Sequence, residues 1–271
     1  MSRGGSSAVA ALLVLAAGAA LPSAFAGEAP GGIPWGESFA RALDQAERDG
    51  KPVLVDVWAV WCVPCKEMDD TTYRSALVIR EASAFVPLKV DADVATSFVE
   101  RYRVDAYPTL LFLDGRGREI SRWRGAIAAE PLAGLMRQVG GGYTAYRLAL
   151  EREGDPASAI VVADYLTAAG SPAGAVDRLR ASLGALPDSA SSTRDALELR
   201  VGEAQLAAGE PKAACRTFER LAERAAEPET RGRALIGLVR AEALRGREAR
   251  AEAARNRLRE EFPGLAETSG L

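Results

Sequence analysis

The stretch Val53–Lys66, VLVDVWAVWCVPCK, limits the possible folds of this chain more than any other. Val53, Leu54, Val55 and Val57 form an apolar, mostly β-branched run with one acid, Asp56, inside it. Such a run reads as a strand buried on both faces. It ends at Trp61-Cys62-Val63-Pro64-Cys65, and Lys66-Glu67-Met68 then opens a helical pattern. A thiol at a helix start faces unpaired backbone N–H groups and the positive end of the dipole, and both favour the reactive thiolate. Cysteines at i and i+3 share a face of the first turn, and Pro64 suits that turn because its missing N–H costs nothing there.

Disulfide exchange needs an attacking thiolate and a second thiol near enough to resolve the mixed disulfide. Cys62 is the expected nucleophile, and Cys65, one turn in, is expected to be the more buried resolving thiol. Lys66 adds positive charge that favours the thiolate. Two other readings of the pair stand beside this one. Half of a zinc site would have to be completed by Cys215 and carboxylates, because the 271 residues include no histidine. A structural disulfide is the other. The absence of histidine also excludes His-based acid–base catalysis, Ser-His and Cys-His nucleophiles and histidine-ligated haem. A net charge of -3 gives no sign of a nucleic-acid partner or an anionic membrane.

Residues 1–26 read as a secretory signal peptide. Arg3 is the lone charge ahead of the apolar run Ala8–Leu21, and Ala24-Phe25-Ala26 fits a small-x-small cleavage site. The run is shorter than the ~17–25 residues of a membrane span. The mature protein is expected to begin near Gly27, in the periplasm or secreted, without stable membrane insertion; an uncleaved anchor is the alternative.

From there the pattern predicts a helix around Phe39, Leu43 and Ala46, the strand from Val53, a long helix from Cys62 and a strand Phe85–Val90. A helix Ala95–Tyr102, a strand Leu110–Leu113, a tight turn Asp114–Gly117, a hairpin partner Glu119–Arg124 and a helix Glu130–Val139 complete the series. Parallel units followed by an antiparallel hairpin describe a mixed sheet with helices on both faces.

Asp56, Trp58-x-x-Trp61-Cys62-x-x-Cys65-Lys66 and Tyr107-Pro108-Thr109 stand in an order and spacing that resemble the thioredoxin superfamily. Together with Gly50-Lys51-Pro52 and Val63-Pro64, the segment is most similar to the C-terminal thioredoxin-like domain of the transmembrane thiol:disulfide interchange reductase. The resemblance covers roughly Ile33–Val139. It implies that Asp56 exchanges a proton with the buried cysteine, and that Tyr107-Pro108 forms a cis-proline loop offering backbone to an extended substrate. Trp61, Val63, Pro64, Tyr107 and Pro108 are the expected substrate-binding residues. Asp56 alone admits a second reading, an edge-strand acid reaching water. Gly125 matches a family glycine near the site or is a simple turn glycine, and Trp58 reads as packing. No cofactor beyond a Cys62–Cys65 disulfide and no metal is expected.

Gly140–Gly142 reads as a linker between residues 27–139 and residues 143–271. Beyond it Ala, Leu, Arg and Glu dominate and strand signal is almost absent. Ala163…Gly170…Ala175…Leu179…Pro187, Gly202…Gly209…Ala214…Phe218 with Pro228 displaced from the expected place, and Val239…Gly246…Ala251…Leu258…Pro263 repeat one pattern of helix, Gly turn, helix and Pro stop. The pattern resembles degenerate tetratricopeptide repeats, implying an all-α domain with a protein-binding surface; a plain helical bundle is the alternative. Cys215 reads as a small packing residue.

The combined expectation is an extracytoplasmic thiol:disulfide oxidoreductase acting on protein disulfides, a reductase supplied by a membrane electron donor. A repeat-type binding adaptor with a structural disulfide and a disulfide oxidase or isomerase are the competing readings.

Overall fold

Val53–Trp58 forms β1, Val86–Asp91 β2, Thr109–Leu113 β3 and Glu119–Arg124 β4. They make one four-stranded sheet of order β2-β1-β3-β4, seen here in a computed structural model that describes residues 32–152 and 154–270. The expected signal peptide lies outside the described residues. β1 runs parallel to β2 and antiparallel to β3, and β3 pairs antiparallel with β4. The sheet is mixed, as the alternation of parallel units and hairpin requires. The hairpin turn closes where the Gly117 N–H donates to the Asp114 carbonyl at 2.9 Å.

Strand periodicity sends the side chains of β1 alternately to two layers. Val53, Val55 and Val57 pack with Ala42 and Ala46 of α1 (Phe39–Asp49) and Phe98 and Tyr102 of α4 (Thr96–Tyr102). Leu54 points the other way, toward Met68 of α2 (Val63–Asp70), Val78 of α3 (Ala76–Ala82) and Leu132 and Met136 of α5 (Ala129–Gly140). Burial on both faces explains the continuous apolar run.

The single long helix expected from Cys62 is instead broken. α2 ends at Asp70, a 3-10 turn covers Thr72–Arg74, and α3 follows. The Thr71 hydroxyl donates to the Glu67 carbonyl at 2.6 Å, and the Thr72 hydroxyl donates to Ile127 O at 2.8 Å. Threonine side chains thus compete with the helix ladder, and the second one ties the break to a distant loop.

The rest of the described chain is helical: α6 (Tyr143–Leu150), α7 (Pro156–Ala168), α8 (Pro172–Ala185), α9 (Ser191–Ala207), α10 (Pro211–Arg224), α11 (Pro228–Leu244), α12 (Glu248–Glu261) and α13 (Pro263–Ser269). Each packs on the next, and α7, α9 and α11 pack in series, which fits stacked helical repeats. Gly170, Gly209 and Gly246 turn the chain between α7 and α8, α9 and α10, and α11 and α12, each with φ between 69° and 84°, a region most side chains avoid. Pro187 and Pro263 follow the ends of α8 and α12, where the pattern places a Pro stop. Pro263 also opens α13, as the displaced Pro228 opens α11, a place where proline's missing N–H is harmless.

The helical region is fastened to the hairpin tip. Gly142, with φ of 79°, leads from α5 into α6. The Gly115 N–H donates to Tyr143 Oη at 3.2 Å, and Tyr146 Oη donates to Asp114 Oδ2 at 3.3 Å. Asp114 also accepts the Arg116 and Arg118 N–H groups, each at 2.9 Å, and the Arg118 guanidinium at 2.7 Å. Tyr165 stacks on Tyr146 and donates to Val139 O at 2.7 Å. Contacts among buried apolar residues run unbroken from Leu132 and Val139 through Tyr143 to Leu166 and Leu179.

Within the helical region, the Phe218 ring of α10 lies against bare backbone of α9 and α11. A Cβ at Gly202 or at Gly237 would meet that ring at 2.5 Å. Overpacking of a closed core costs roughly 1–3 kcal/mol. Gly202→Ala and Gly237→Ala are each expected to lower the urea midpoint by a stability loss of about that size. An unchanged midpoint in either variant would show that the ring moves aside freely.

Candidate active site

β1 ends at Trp58, and after three intervening residues Cys62 becomes the N-cap of α2. Its backbone is extended, its N–H donates to Ala59 O at 3.0 Å, and its sulfur takes the place of a capping oxygen, accepting the Cys65 N–H at 3.2 Å. Pro64 sits in the first turn, as expected. Cys62 and Cys65 are joined in a disulfide. In this oxidised form the two are equally enclosed, 3% and 2% exposed, so the expected difference in burial does not separate them.

The Tyr107-Pro108 bond is cis, and Tyr107 packs with Trp58 around Ala59 and the cysteines. The Gly125 N–H donates to Pro108 O at 2.8 Å, with Gly125 at φ of 86°. Gly125 therefore braces the proline loop from the end of β4, a role that a left-handed backbone suits. Trp61 and Val63 flank the disulfide at 63% and 62% exposure. The Trp61 indole meets the Tyr107 ring edge-on at 5.7 Å and donates to Asp93 Oδ1 at 3.1 Å. The expected site residues thus converge, with Asp93 as an addition that the sequence reading lacked.

Asp56 lies on β1 in the interior of the sheet and is 1% exposed, so the edge-strand reading fails. Among the described residues its Oδ1 has no hydrogen-bond partner, and neither does the nearby hydroxyl of Tyr73. Lys89 Nζ stands 3.5 Å from its other oxygen. Burial pushes the Asp56 carboxyl up from 3.8 to about 6, against the pull of Lys89 and with help from Asp69. The Tyr73 phenol is pushed well above its ordinary value by burial and by Asp56. A carboxyl balanced near 6 can both take and return a proton close to neutral pH.

With that geometry in place, comparison with known proteins is direct. The thioredoxin-like domain family matches residues 39–140. Thioredoxin-1 of Drosophila melanogaster is 38% identical over 78 residues, which are 29% of this chain and 70% of that protein. This chain belongs to the thioredoxin-like family of thiol:disulfide oxidoreductases. The thiol:disulfide interchange protein DsbD of Pseudoalteromonas atlantica is 37% identical over 109 residues, 38% of this chain and 18% of DsbD. The chain thus spans less than a fifth of that relative's length. A solved thioredoxin from Thermus thermophilus is 28% identical, covering 39% of this chain and 88% of its own, with a TM-score of 0.36.

The raised Asp56 has a stability consequence. Its folded value lies above the unfolded one, so the native state binds more protons between the two, and stability is greatest below about 3.8 and falls as pH rises through 6. The cost above pH 7 is about 3 kcal/mol at most. Asp56→Asn is therefore expected to be more stable than the wild type at pH 7.5, by up to that amount, and no different near pH 3.5. Urea unfolding of the oxidised proteins at both pH values checks this, and equal stability at pH 7.5 would contradict the burial penalty.

Proposed function

We propose that this protein is an extracytoplasmic reductant of protein disulfides. The observation that carries the reading is the Cys62 sulfur serving as the N-cap of α2, where backbone N–H groups stabilise a thiolate. In the reduced protein the Cys62 thiolate attacks a client disulfide; one client sulfur bonds to Cys62 and the other leaves as a thiolate. Cys65 then passes its proton to Asp56 and attacks Cys62 Sγ. The Cys62–Cys65 bond forms, the second client sulfur departs, and two electrons have moved from the dithiol to the client. The exposed Trp61 and Val63, with Pro64 and the Tyr107-Pro108 loop, give the client an apolar, partly extended seat.

The reducing direction is supported by the buried Asp56 and by the kinship of this segment with part of DsbD. Residues 1–26, read as a signal peptide, support a periplasmic or secreted location, and among the described residues no helix is long and apolar enough to cross a membrane. Re-reduction outside the cytoplasm calls for a membrane electron donor. The helical region, read as tetratricopeptide-like, is the surface for a protein partner.

Insulin reduction with dithiothreitol tests the activity. Wild type is expected to speed precipitation and Cys62→Ser to abolish the effect; equal behaviour would leave a binding adaptor with a structural disulfide. Cys65→Ala is expected to hold clients as mixed disulfides on Cys62. Equilibration with glutathione tests the direction. A potential within reach of about -270 mV is expected, and one above about -150 mV would make the protein an oxidase or isomerase.

A further inference from the structure

β1 and β2 are parallel and in register, with Asp56 directly beside Lys89. The Lys89 ammonium is not given over to that neighbour. It lies 2.5 Å from Asp69 Oδ1 and 3.5 Å from Asp56 Oδ2. Asp69 follows Cys65 by four residues on α2, so the same helical face that carries the resolving cysteine carries this second acid. The Trp35, Trp58 and Tyr73 rings surround the ammonium at 5.8, 5.2 and 5.7 Å from their centroids. This cage opens on a groove of about 790 Å³ lined by Trp35, Trp58, Asp91 and Val94. Lys89 is 18% exposed and Asp69 is 38% exposed, whereas Asp56 is enclosed behind them.

Three groups therefore face Asp56: Lys89 from β2, Asp69 from α2 and Tyr73 from the turn that follows α2. An acid in a complete ion pair is held ionised and returns a proton poorly. A buried acid with no cation nearby stays protonated and cannot accept the Cys65 proton. The distances place Asp56 between these extremes, because the lysine donates to Asp69 within hydrogen-bond range and reaches Asp56 only beyond it.

We propose that Asp69 is a positioning residue that acts through Lys89, drawing the ammonium to the mouth of the pocket so that Asp56 has a cation nearby but no complete ion pair. Asp56 then remains able to take the Cys65 proton as the Cys65 sulfur bonds to Cys62 and the client thiolate leaves. The inference deepens the reductase reading and rests on its assignment of Asp56 as proton carrier.

The test is a ¹³C NMR titration of the Asp56 carboxyl in the full, oxidised chain. Asp69→Asn frees Lys89 to close on Asp56, and the midpoint is expected to fall by about one pH unit. Lys89→Met is expected to raise it by a similar amount, and Asp69→Glu to restore the wild-type value. In the Lys89→Met background, Asp69→Asn is expected to lose the larger part of its effect, as coupled residues do in a double-mutant cycle. An Asp69→Asn shift equally large in both backgrounds, or no shift at all, would overturn the proposal. Insulin turnover by the wild type is read separately, so failure of the titration and failure of the reductase reading are told apart.

Discussion

The short passage from β1 into α2 sets both halves of the redox site. As an inner strand of the sheet, β1 cannot present Asp56 to water, and it delivers the chain after three residues to the first turn of a helix. The burial of the acid and the capping by sulfur are thus two results of one backbone path. Loss of water around Asp56 raises its carboxyl, while unpaired N–H groups at the helix start favour a charged sulfur at Cys62. The same fold makes a proton harder to remove at one atom and easier to remove at the other. The proposed disulfide exchange uses both.

The hairpin β3–β4 joins this site to the remainder of the molecule. One end of it holds the redox loop, where Gly125 braces Pro108. The other end is the turn gripped by Tyr143 and Tyr146. Five residues of β3 separate the two ends, roughly 17 Å at strand rise. The tyrosine attachment therefore sits at the far end of the sheet, and Trp61 and Val63 remain exposed at the redox end. Buried Asp114 is satisfied by backbone, guanidinium and phenol donors together, which makes that attachment a fixed polar junction within an apolar contact.

Much of this was legible from local pattern. The β-branched run marks β1, the Gly-containing turn after Leu113 marks the hairpin, and β4 spans the residues its alternation indicates, because each depends on near neighbours in the chain. The break after Asp70 was not legible, since the helix pattern continues through it and the hydroxyl of Thr72 finds its acceptor 55 residues away. Lys89 was missed for the same reason: its meaning depends on parallel pairing with Asp56 and on a helix that brings Asp69 over the strand. Prolines at 228 and 263 also open helices, which the pattern did not tell, because residue type marks a helix boundary without saying which helix it bounds.

The most direct measurement is the pH dependence of iodoacetamide alkylation at Cys62 in the reduced full-length chain. A helix-capping sulfur is expected to titrate well below the free-thiol value of about 8.5 and to react at neutral pH faster than an unstructured cysteine peptide. A Cys62 that titrates near 8.5 and reacts no faster than that peptide would contradict activation by the helix start, leaving the disulfide a structural crosslink.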